Sequence, residues 1–257
     1  MPIGPARMPL MDHLGELRRR LVQVVVCLLI ATCVLYMFTP YIVDFLINPI
    51  SQYLSDGTES LILTKPFEGF SLKFLVALFA AVIVCSPLIF WEILAFFLPA
   101  LKPNERRYVV PTFFVAVFLF ALGMVFGYGF CLRPTFAFLL GESGTLGTVF
   151  PVASDYIKFI MIFLVAFGVA FELPVVVFYL IMFDIISYSK MRSSWRVVYV
   201  ALLCLSAVVT PDASPVTMGI LFAALIALYE ASMLAARIAL SRKIKKQRER
   251  EAAEEGA

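Results

Sequence analysis

Residues His13 to Leu21 read His-Leu-Gly-Glu-Leu-Arg-Arg-Arg-Leu, and from Leu21 the chain carries no charge as far as Phe38. On a helix this puts a carboxylate, Glu16, one turn ahead of an arginine cluster. An apolar run of about 17 to 25 residues is long enough to cross the hydrocarbon core of a bilayer, and arginines at one end of it stay on the cytoplasmic side. The stretch therefore marks where the chain enters a membrane. Glu16 has no obvious need to be there, and is the first residue to explain.

The rest of the chain agrees with an integral membrane protein. Of its 257 residues 62% are hydrophobic and only 15% charged, with a mean hydropathy of +0.95, far from the mix of a soluble domain. Helices and closed barrels are the spanning solutions, and barrel strands would alternate polar and apolar residues. These runs are apolar on every side, so the bundle is all-α. The net charge of +3 says little in itself. The five cysteines (27, 33, 85, 131, 204) lie in or at the ends of apolar runs without Cys-x-x-Cys spacing, and read as packing residues. The first run is too long for a signal-peptide core and lacks a small-residue cleavage pattern after it, so it reads as retained. No internal repeat is visible, and no low-complexity segment apart from the tail.

Six spans follow in one domain over residues 1–240: 21–38, 74–98, 108–132, 156–183, 197–209 and 216–235. With both termini on one side, every Lys and Arg except Lys65, Lys73, Arg133 and Lys158 falls on the face that holds the N-terminal segment, the 99–107 and 184–196 loops and the tail. That bias makes the face cytoplasmic. The outer loops are the long ones, roughly 39–73 and 133–155. Short surface helices fit the first of them, around Tyr41 to Ile47. The fifth run, 13 residues at 1.5 Å each, covers about 20 Å against a core of about 30 Å, and a turn from Thr210 to Pro215 leads straight into the sixth. Both are expected to be short, in a hairpin that thins the lipid beside it. Pro87 and Pro174 in mid-run, with Gly123, Gly127 and Gly129, suggest bent and closely packed helices. Kinks absorbed by packing and a concave bundle both remain open. The charged tail, 241–257, reads as a disordered, solvated extension that anchors the last helix.

Several carboxylates need explaining. Glu172 falls near the middle of the fourth run, where an acid costs on the order of 3 kcal/mol on insertion scales. It is either protonated and bonded to a neighbouring helix, or it faces a wetted cavity that meets a ligand. Glu105 begins the third run at a helix N-terminus, where a carboxylate is favoured anyway. Glu16 lies on the same expected membrane face, and each of the two acids is followed by arginines. Together they could hold two guanidinium groups by paired hydrogen bonds that lysine cannot reproduce. Glu92 and Glu230 either snorkel or bond between helices, and Glu68 is a helix-start residue.

Six motifs stand in register: His13-Leu-x-Glu16-Leu-Arg-x-Arg-Leu21, Pro66-x-Glu-x-Phe70, Phe96-x-x-Pro99-x-Leu-x-x-x-Glu105-Arg-Arg107, Phe167-Gly-x-x-Phe-Glu-x-Pro174, Thr210-Pro and Leu228-Tyr-Glu230. In this order, over residues 9–240, the chain resembles the TatC family, the multi-spanning receptor subunit of the twin-arginine protein translocase. The resemblance implies six transmembrane helices in a curved, glove-like bundle in the cell inner membrane, with both termini cytoplasmic. It also implies that Glu16 and Glu105 contact the Arg-Arg pair of signal peptides on folded cargo, that Phe96 supports the site, and that Arg19 or Arg20 helps arrange it. Glu172 matches the family's intramembrane glutamate. TatA-like and TatB-like single-span partners would pack along the fifth and sixth helices and further copies of the chain would associate. Pro49, Glu68, Thr210, Asp212 and Glu230 would serve partner or assembly contacts. Transport would draw on the proton-motive force, without a cofactor. The chain departs from the family pattern in the loop Pro211-Asp-Ala-Ser-Pro215 and at Ala224, where the family often carries proline.

Two other function classes compete. An intramembrane enzyme or metal site lacks ligands in the sequence: there is one histidine, His13, and no His-Glu-x-x-His or Gly-x-Ser-x-Gly. A proton-coupled carrier of a small solute could use Glu172, but the paired repeats typical of carriers are not visible.

Overall fold

The computed structural model describes residues 10–50, 62–97, 106–144, 152–183, 185–210 and 214–241. Nearly all of them are helical, and the one β contact is an isolated parallel bridge between Ile62 and Val152. The chain divides into two compact units, residues 1–118 with 148–165 and residues 119–147 with 166–257. Two of the boundaries, after residues 118 and 165, fall inside continuous helices.

In the first unit, helix α1 (Leu10–Tyr36) takes in the whole His13 to Leu21 stretch, so it begins well before the apolar run. It stops at a Met37-Phe38 turn, where the Thr39 hydroxyl donates to the Tyr36 carbonyl at 2.7 Å and Pro40 sits in the first turn of α2 (Thr39–Ile47). This is the short helix expected around Tyr41 to Ile47. Helix α3 (Glu68–Val84) starts at Glu68, earlier than the expected span, and packs along α1 and α2. Pro87 breaks the second run as expected. Its missing N–H leaves the Ile83 carbonyl without a helical donor, and the Ser86 hydroxyl donates to that carbonyl at 2.7 Å instead. The chain bends by 53° between α3 and α4 (Ser86–Phe97). Val76, Ala77 and Ala81 of α3 are fully buried, as are Ile160 and Phe163 of α7 (Ala153–Ala170).

Helix α5 (Val109–Phe126) enters the second unit and does not end where the third run was drawn. A π turn over Gly127–Cys131, in which the Leu132 N–H donates to the Gly127 carbonyl, leads directly into α6 (Leu132–Gly144). The expected loop at 133–155 is thus helical for much of its length. Pro134 has no N–H to hold the regular pattern, and Phe136 to Leu140 keep the helix apolar. The fourth run is helical in two pieces, α7 and α8 (Leu173–Met182), with the break at Phe171 and Glu172 beside Pro174. A short α9 (Tyr188–Ser193), capped by Ser187, precedes α10 (Trp195–Val209). At 15 residues α10 is short, as expected. Helix α11 (Pro215–Ala239) is not: Ser214 caps it and it runs for 25 residues, because the apolar sequence continues past Ala235 and no breaker follows. It packs on α8, α10 and α6 around Leu221, Leu225 and Tyr229, all buried.

Among the described residues four helical segments are long and apolar enough to cross a membrane: 15–36, 106–141, 153–182 and 215–239. The bent α3–α4 pair makes a fifth and α10 is a shorter apolar helix. Leu21, Val22, Val25, Val26, Leu29 and Ile30 of α1 are exposed, a surface that water would penalise and lipid solvates. The protein is an all-α integral membrane protein.

Candidate functional site

Glu16 is engaged. One turn along α1, Arg20 donates from Nε and Nη2 to Oε1 of Glu16 at 3.1 and 2.6 Å, and from Nη1 to Oε2 of Glu92 on α4 at 2.7 Å. All three side chains are three-quarters or more buried, which makes the contacts stronger than those of an exposed pair. Spacing on one helix dictates the Glu16–Arg20 contact. The Glu92 contact spans 72 positions and exists only because α1 and α4 pack. Glu92 therefore bonds between helices, one of its two expected readings. Phe96, half-buried, stands one turn beyond Glu92 on the same face of α4. Arg19 is exposed, so Arg20 is the arginine that organises this end of α1. Glu105 lies outside the described residues. So does Asp212.

Glu172 stands at the break between α7 and α8. Its amide donates to the Val169 carbonyl and its carbonyl accepts from Val175 and Val176, while Oε1 is buried and finds no hydrogen-bond partner among the described residues. A buried carboxyl oxygen without a partner is uncommon and costly, and calls for an explanation outside folding.

The remaining polar positions form two further clusters. Glu68 accepts from the Thr64 amide at 2.5 Å, the Thr64 hydroxyl at 2.9 Å, the Lys65 amide at 3.0 Å, and the Ser154 hydroxyl of α7. It is the first residue of α3, as expected, and it also ties the segment before α3 to the start of α7, beside the Ile62–Val152 bridge. Ser154 carried no sequence signal. In the second unit, Glu230 on α11 accepts from Arg192 through both oxygens at 2.8 and 2.7 Å, and from the Tyr199 hydroxyl at 3.0 Å. These bonds hold the Arg192 guanidinium above the usual arginine range. Nearby the Tyr229 hydroxyl donates to the Met191 carbonyl at 3.2 Å. Thr210 caps α10, its hydroxyl donating to the Ser206 carbonyl at 2.9 Å, and Pro49 is buried in the 3-10 turn after α2.

Residues 12–223 match the family described as Sec-independent protein translocase protein (TatC). The chain is 35% identical to the Sec-independent protein translocase protein TatC of Deinococcus radiodurans over 91% of its own length and 87% of that protein's. It is 32% identical to the TatC of Aquifex aeolicus over 92% of its length and 98% of the relative's. Its fold is similar to a crystal structure of the twin arginine translocase receptor TatC in DDM, with a TM-score of 0.72 and 30% identity, covering 87% of this chain and 99% of the other. The chain belongs to the TatC family and is a multi-pass membrane subunit of the Sec-independent, twin-arginine protein translocase.

Proposed function

We propose that the chain is the signal-peptide receptor of the translocase. It binds the paired arginines of folded cargo at the cytoplasmic face of the inner membrane, and it nucleates assembly of a translocation complex driven by the proton-motive force. The observation that carries this reading is the geometry at Glu16, whose carboxylate accepts two N–H groups of one guanidinium. A carboxylate posed in this way suits the group that a twin-arginine signal brings. Glu105 takes the second arginine, Phe96 supports the pair, Arg20 rather than the exposed Arg19 arranges it, and no bond is made or broken in the cargo. Glu172, with its unpartnered oxygen, meets the signal as it inserts more deeply.

The charge bias of the loops supports six spans with both termini inside, in one domain over residues 1–240 followed by a solvated tail. TatA-like and TatB-like proteins pack along α10 and α11, and Pro49, Glu68, Thr210, Asp212 and Glu230 serve assembly. The test is binding of a labelled peptide with Arg-Arg before an apolar segment to the reconstituted protein. Glu16→Gln and Glu105→Gln should each weaken it roughly thirtyfold, since losing one partner of a desolvated charge pair costs about 2 kcal/mol or more. Equal affinity for a Lys-Lys peptide would sink the fork geometry. A proton-coupled carrier would use the same Glu172 oxygen, and solute-dependent proton uptake by vesicles without any signal peptide would favour it.

A further inference from the structure

Arg20 touches two acids that belong to different helices, and it uses them unequally. Two of its nitrogens go to Glu16 and one to Glu92, and Glu16 accepts both through Oε1 alone. Two carboxylates beside one guanidinium leave the cluster one negative charge in excess. A second guanidinium therefore fits its charge, provided Arg20 yields Glu16. Partly buried, Arg20 cannot be displaced into lipid or left without a counter-charge except at a large cost. Glu92 lowers that cost, since it is already bonded to Nη1 at 2.7 Å and stays beside Arg20 as a counter-charge.

We propose that Arg20 is an internal stand-in for the signal's arginine: it occupies Glu16 in the empty receptor and moves onto Glu92 when a signal arginine arrives. This rests on the reading of Glu16 as a signal-peptide carboxylate. It assigns Glu92 as a positioning residue, and it gives the site a source of discrimination. The incoming group must replace a two-donor guanidinium contact, which another guanidinium matches and the point charge of an ammonium does not. Arg20 thus sets a threshold that paired arginines pass and paired lysines fail.

The test measures Arg-Arg and Lys-Lys peptide affinity on the full chain in lipid nanodiscs. Arg20→Gln should tighten Arg-Arg binding by roughly fivefold and Lys-Lys binding by more, so that the ratio between the peptides narrows. Glu92→Gln should weaken Arg-Arg binding by roughly fivefold, and that loss should vanish in the Arg20→Gln background, because without Arg20 nothing needs Glu92. If Arg20→Gln is not recovered folded, Arg20→Lys carries the same test, since it keeps a charge and loses the fork; tighter Arg-Arg binding supports the stand-in. Weaker Arg-Arg binding in either Arg20 variant, or losses at Glu92 that persist without Arg20, would overturn it. Glu16→Gln separates the two ideas. Unchanged binding there removes Glu16 from signal recognition altogether, whereas lost binding with no Arg20–Glu92 coupling removes only the stand-in.

Discussion

A Cβ added to Gly123 would lie 2.6 Å from the main-chain carbonyl oxygen of Phe167, and under 3.0 Å from the Cβ and Cγ of Phe171. Helices α5 and α7 pass backbone against backbone there, as small residues permit in membrane bundles. The carbonyl cannot step aside as a flexible side chain would. Gly123→Ala is expected to lower stability by on the order of 1–3 kcal/mol, read as a lower midpoint of thermal unfolding in detergent. Gly129→Ala meets nothing within 4 Å and should leave the midpoint nearly unchanged.

The sulfurs of Cys27 on α1 and Cys85 at the bend between α3 and α4 are 3.5 Å apart. A disulfide needs about 2.05 Å, which a small side-chain adjustment supplies. Added copper(II) phenanthroline, two equivalents of which take up one electron each while both thiols lose their protons, should link them within one chain. Maleimide labelling in denaturant should then fall by two thiols per chain, and Cys27→Ser should abolish the loss. The exposed Cys33 and Cys204 remain available for labelling. Failure of the pair to link in native membranes would mean that α1 does not lie against the bend.

Glu172 is where stability and transport are expected to part. Its buried oxygen without a partner lowers stability, so Glu172→Met should raise it by about 1 kcal/mol. The same change should reduce deep insertion of a bound signal peptide while surface docking persists. Photo-crosslinking at successive positions of the signal reads both, and an unchanged insertion profile would count against a transport role for this acid.

Much of the architecture was legible from pattern alone. The uncharged run after Arg20, the break at Pro87, the interruption at Glu172 and Pro174, and the short helix at 195–209 all follow from lengths and proline positions. The contact of Glu16 with Arg20 follows from helical spacing. What could not be read was continuation through weak breakers. The third span is expected to end at residue 132, yet the π turn at Gly127–Cys131 carries the helix on to Gly144, and α11 outruns its expected end by four residues. Single-residue signals do not say whether a helix is interrupted or merely deformed, because neighbouring packing decides that.

Uncharged runs of this length are enough to place the chain in a membrane as helices, because in lipid backbone groups have no other partners. The sequence also places an acid one turn ahead of an arginine. Helical spacing chooses Arg20 for that acid, but what shares Arg20 is set by packing. Glu92 is 72 positions away from Arg20 and meets it solely because the bend at Cys85 brings α4 against α1. A partner that distant is chosen by packing, and no local spacing encodes it.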